Sequence, residues 1–119
     1  MSNYKQKIFS LFSRIHFFNY LTNKEKEFII KSTFLFVVND NETIFEKEQI
    51  ANSFYVVQKG SVKIEIPGRK DLVMKEGEYF GEAAFFSIVG NGMKCQRKGR
   101  ACSNEEGTEV YGVGITKLK

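Results

Sequence analysis

Apolar residues recur on two different periods along this chain. Between about Lys5 and Lys31, Ile8, Leu11, Phe12 and Ile15 return at three- and four-residue steps, the spacing of one helix face. Thr22 followed by Glu25 has the spacing of a capping box ahead of Phe28, Ile29 and Ile30. The pattern predicts two short helices with a break near Asn19 to Thr22. From Thr33 onward the period becomes strand-like: Val62, Ile64 and Ile66 alternate with Lys63 and Glu65. Turn residues cut the rest into pieces. Phe34 to Val38 ends at Asn39-Asp40-Asn41, Thr43 to Phe45 follows, Ser53 to Gln58 ends at Lys59-Gly60, and Val62 to Ile66 stops at Pro67-Gly68. Leu72 to Met74 precedes a glycine-punctuated stretch, and Arg100 to Ser103 and Val110 to Val113 close the series. About eight short strands in roughly 80 residues predict a mainly β fold, an eight-stranded β-roll or jelly-roll barrel over 33–119 behind a helical segment at 1–32, one domain overall.

Composition agrees and narrows the chemistry. With 42% hydrophobic residues, twelve Phe and five Tyr among 119, the chain is no disordered tail, and its length leaves room for one core rather than two. The longest apolar run, Phe34 to Val38, falls far short of the roughly 20 residues of a membrane helix, and no charged start leads into an apolar signal segment. Membrane insertion is therefore not expected and a cytoplasmic location is. Cys95 and Cys102 form no disulfide framework, and with one histidine they make no convincing metal site. The same shortage argues against a histidine-dependent hydrolase, since His16 lies in an apolar segment that reads as packed helix. No catalytic role is expected. The net charge of +4 is modest, but Lys94, Arg97, Lys98 and Arg100 crowd into seven positions and point to an anionic partner. Nucleic acid or anionic lipid is the weaker reading of that stretch, which has no interleaved aromatics and no helix-turn-helix segment after it.

Glu78-Tyr79-Phe80-Gly81-Glu82-Ala83-Ala84-Phe85-Phe86 carries the most chemical information. A glycine lets backbone approach a ligand, and consecutive N–H groups in a turn entering a short helix attract an anion. A glutamate facing that anion would repel it. Glu82 fits if it accepts a hydrogen bond from a hydroxyl beside a phosphate, such as a ribose 2′-OH, while an arginine balances both charges.

Phe54-Tyr55-Val56-Val57-Gln58-Lys59-Gly60-Ser61-Val62-Lys63-Ile64, then Gly77, then Phe80-Gly81-Glu82-Ala83-Ala84, then an arginine, resembles the cyclic nucleotide-binding domain of cyclic-nucleotide-dependent protein kinases and gated channels. The resemblance runs from about Leu11 to Leu118. It implies a ligand, cAMP or cGMP, in place of any cofactor: Glu82 on the ribose hydroxyl, Gly81, Ala83 and Ala84 as backbone donors, and an arginine on the phosphate. Arg100-Ala101 matches the family's local step. Alternation favours Arg97 instead, because counting in twos from it meets Gly99, Ala101 and Ser103, whereas counting from Arg100 meets Cys102, Asn104 and Glu106. Burying Asn104 and Glu106 without partners would cost several kcal/mol. Arg97 is favoured, with Arg100 as the alternative; Lys98 would then stand where kinases preferring cGMP often carry threonine.

The chain also departs from that pattern. Ser87 to Gln96 makes a longer loop than the family's, and Asn41, Glu48 and Ala51 replace earlier glycines, which suggests a reshaped turn. The chain stops at Lys119, where the family's lid helix would be starting, so a truncated lid and an excerpt from a longer protein are expected. The resemblance thus implies a regulatory module controlling an attached or associated effector, a protein kinase catalytic domain in cis or in trans. The alternative is a degenerate domain serving as a protein-interaction surface without ligand.

Overall fold

A computed structural model describes residues 3–51, 53–81 and 96–114. Helix α1 spans Asn3–Phe12 and α2 spans Asn23–Lys31, with a 3-10 helical turn at His16–Tyr20 between them. The capping box forms as its spacing requires: the Glu25 N–H donates to Thr22 Oγ1 at 3.1 Å and the Thr22 N–H donates to Glu25 Oε1 at 2.8 Å. The break between the helices begins earlier than expected. The Ser13 hydroxyl donates back to the Phe9 carbonyl, and Arg14 and Ile15 switch to bonds three residues back, which tightens the chain out of the α-helical register. His16 is consequently not a packed helical residue. It is exposed on the 3-10 turn, with its ring edge against Tyr20 at 5.1 Å.

Eight strands follow among the described residues: β1 Thr33–Val38, β2 Thr43–Phe45, β3 Ser53–Lys59, β4 Ser61–Glu65, β5 Leu72–Lys75, β6 Tyr79–Phe80, β7 Arg100–Ser103 and β8 Thr108–Gly114. They form two antiparallel four-stranded sheets, ordered β1-β8-β3-β6 and β2-β7-β4-β5, the layers of a β-roll. Strand β6 lies within the glycine-punctuated stretch and pairs Phe80 with Tyr55 and Tyr79 with Val56. The tight turn between β3 and β4 needs a glycine: Gly60 has φ of +84°, and a Cβ there would meet Thr108 Oγ1 at 2.6 Å.

Apolar burial has two layers where one core was expected. Period-two alternation in β3 and β8 sends Phe54, Val56, Tyr111 and Val113 toward Ile8, Phe12, Ile15, Phe18 and Ile29 of the helical layer. The intervening Val57 and Val110 join Phe45, Val62, Ile64, Phe80 and Ala101 inside the roll. The β8 and β3 strands are thus covered on both faces, which is why they read as nearly unbroken apolar runs. No helix among the described residues is long and apolar enough to cross a membrane.

Candidate functional site

Three aromatic rings pack together in the inner apolar layer of the roll. Tyr55 of β3 stacks on Phe80 of β6 with centroids 5.2 Å apart, and Phe45 of β2 lies 5.8 Å from Tyr55 and 6.1 Å from Phe80. The Arg97 guanidinium sits over the Phe45 ring, its Cζ 4.1 Å from the centroid, and 5.8 Å from that of Tyr55. Arg97 Nη1 donates to the Gly81 carbonyl at 3.2 Å and Nη2 to the Ser53 carbonyl at 2.5 Å. The side chain is 7% exposed and lines a cavity of about 300 Å3 together with Ile44, Phe45, Gln49, Ile50 and Tyr55.

Backbone pairing holds Arg97 in that place. Its N–H donates to the Gln49 carbonyl and its carbonyl accepts from the Glu48 N–H, both at 2.8 Å, and Ile50 bridges Gln96. Glu48 makes this possible with φ of +73°, and Asn41 likewise has φ of +66°. Asn41 keeps the left-handed geometry that asparagine tolerates, and Glu48 keeps it too, although a glutamate adopts it less easily, while Ala51 is buried and is not among the residues of positive φ. Gly81 (φ +79°) completes the approach: a Cβ there would stand 2.8 Å from Arg97 Nη1.

Residues 97–103 follow the burial row that alternation anticipates. Arg97, Gly99, Ala101 and Ser103 are buried, and Asn104 and Glu106 are exposed; Cys102, between two buried neighbours, is buried as well. Lys98 is exposed. Arg100 faces the other way, onto the surface of the second sheet. There it donates to Glu65 at 3.2 Å, to Thr43 Oγ1 at 2.8 and 3.0 Å and to the Asn41 carbonyl. Its hydrogen bond, ahead of that from Lys63, holds the Glu65 carboxyl below the usual carboxylate range, and Glu65 in turn raises Arg100. Glu82, Ala83 and Ala84 lie outside the described residues, as do most of the long loop and the expected lid. The sequence offered Phe54-Tyr55 only as a motif; the in-out alternation of β3 was a signal for Tyr55, whereas nothing local pointed to the Phe45 ring of β2 or the Ser53 carbonyl as the surroundings of Arg97.

A β-roll with an arginine held inside it next to a Phe-Gly turn defines the class. The profile of the cyclic nucleotide-binding domain matches residues 35–113, more than half of the chain, and the chain belongs to that family. A cGMP-dependent protein kinase of Toxoplasma gondii is 27% identical over 70 residues, 59% of this chain and 7% of that protein. The sensor domain of the transcriptional regulator DNR from Pseudomonas aeruginosa superimposes with a TM-score of 0.76 at 20% identity, covering 92% of this chain and 70% of that one. Cyclic-AMP-bound PfPKA-R gives a TM-score of 0.75 at 22% identity over 99% of this chain and 44% of that one. These two structures share the fold. The chain spans only 9% and 7% of the curated relatives it matches, and the kinds of protein that carry such domains differ, so the likeness leaves the effector open.

Proposed function

We propose that the chain is a regulatory module that binds a cyclic nucleotide, cAMP or cGMP, and transmits occupancy to an effector, a protein kinase domain in cis or in trans being the first candidate. The observation that carries this reading is Arg97, a buried guanidinium held over Phe45 and beside the Gly81 carbonyl. In this reading the planar fork of Arg97 exchanges its bonds to the Gly81 and Ser53 carbonyls for the cyclic phosphate, with Gly81, Ala83 and Ala84 donating backbone N–H groups and Glu82 accepting from the ribose 2′-OH. Arg100, committed to Glu65 and Thr43, is left to hold β7 against its neighbours. Nothing in the reading requires catalysis or a metal. It accommodates protein kinases and transcriptional regulators alike, because what a binding module exports is a shift in population.

Calorimetric titration with cAMP, cGMP and the matching 5′-monophosphates tests it. Binding of one cyclic nucleotide, with the linear monophosphate much weaker, is the expected result. A 2′-deoxy cyclic nucleotide should lose about 1–3 kcal/mol, since the Glu82 carboxylate is left without its hydroxyl. Silence with every cyclic nucleotide, from a protein that unfolds cooperatively, would overturn it in favour of the ligand-free alternative.

A further inference from the structure

The first 32 residues carry the whole formal charge of +4: six basic side chains stand there against Glu25 and Glu27, leaving twelve of the 18 basic and twelve of the 14 acidic residues, a balanced set, for the rest. The roll is formally neutral and the helical layer is a cation. Between α1 and α2 lies a groove of about 410 Å3. Phe9, 44% exposed, and Ile30 supply its apolar surface, and Lys5, Lys26 and Lys31 surround them, with Glu27 the one acid among the described residues of the lining. The groove is braced from beneath. Phe9 meets Phe18 edge-on at 5.9 Å, and the Lys26 ammonium lies 5.6 Å from the centroid of that same Phe18 ring. Holding Lys26 half-buried in this way reduces the rotamer entropy it would lose on meeting a carboxylate.

We propose that this groove docks an acidic amphipathic helix of a partner protein. Its shape favours a helix: a cleft between two helices receives the side-chain ridge of a third, as when apolar anchors three and four residues apart enter a hydrophobic groove. Its charge favours an acidic flank on that helix, because three lysines around an apolar strip attract carboxylates and reject a basic rim. A bilayer is a poorer fit, since an interfacial surface inserts protruding apolar side chains whereas here they line a concavity. Among the described residues the groove shares none with the Arg97 cavity, so the proposal stands whether or not a nucleotide binds there.

The probe is a labelled synthetic helical peptide with leucines at helical i, i+4 and i+7 spacing among glutamate and alanine, compared with its twin in which lysine replaces every glutamate. Phosphatidylcholine vesicles with and without phosphatidylserine form the third arm. The acidic peptide should bind, its affinity falling with added salt, with amide shifts on titration centred on Phe9 and Ile30. Charge reversal at two exposed rim positions, Lys5→Glu with Lys31→Glu, should weaken it by about tenfold. Phe9→Ala is the second variant, and the thermal midpoints of both establish that they fold. Equal binding of the two peptides, shifts away from the groove, no peptide binding, or binding only to the anionic vesicles would each overturn the proposal.

Discussion

Arg97 and Arg100 are separated by two residues and by the thickness of a sheet. One guanidinium is buried over Phe45, the other spread across Glu65 and Thr43 on the outside: the chain bends at Lys98-Gly99 before β7 begins, and backbone pairing with Glu48 and Gln49 holds Arg97 on the inner side of that bend. Arg97→Lys keeps the charge and loses the fork, so nucleotide affinity should fall by about 1.5–3 kcal/mol, while Arg100→Lys leaves it nearly unchanged; parallel titrations rank the two. Arg100 has its own signature in acid. The depressed Glu65 carboxyl contributes stability that is complete above its unfolded-state value and disappears as pH falls through the lower folded one. Glu65→Gln should therefore lower the urea midpoint at neutral pH, and the gap from the parent protein should close as pH drops below the ordinary carboxylate range. Cys102, whose thiol burial pushes up, should resist alkylation at mildly alkaline pH until urea unfolds the roll, as mass spectrometry of the labelled peptide can follow.

At the scale of elements, turns decide where the arginine goes. The stretch Glu46 to Ile50 bends through the left-handed Glu48 and delivers N–H and carbonyl groups to Arg97. A non-glycine residue in that conformation is strained by roughly 1–2 kcal/mol, part of which glycine returns as unfolded-state entropy. Glu48→Gly should thus stabilise the domain modestly, by up to about 1 kcal/mol in urea unfolding, with the Arg97 pairing intact. The strand set was largely legible, since each strand sits between turn residues: Phe34 to Val38 and Arg100 to Ser103 appear as expected. Strand β6 was not, because two residues make no periodic pattern and owe their extension to the neighbouring β3. The early end of α1 was equally hidden, since Ser13 breaks the helix through a back-bond that composition alone does not reveal.

Across the whole molecule, the β1-β8-β3-β6 sheet is a shared wall between the helical layer and the interior of the roll. Phe54 stands on its helical side, fully buried against Phe12 at 6.1 Å. Phe54→Ala should cost about 3–5 kcal/mol, a large part of the 5–15 kcal/mol typical of a domain, and should loosen α1 and α2 together in hydrogen exchange. The amino-acid order by itself determined that two helices precede the strands, the capped start of α2, most strands and the buried row of Arg97, Gly99, Ala101 and Ser103, because capping, turn chemistry and side-chain alternation are local. Only the tertiary structure decided that the Ser53 carbonyl, 44 residues away, and the Phe45 ring would surround that arginine, and that β8 would lie between β1 and β3. Those outcomes depend on which distant strands exchange hydrogen bonds and bury each other's faces, and no window of sequence short enough to show periodicity contains both partners.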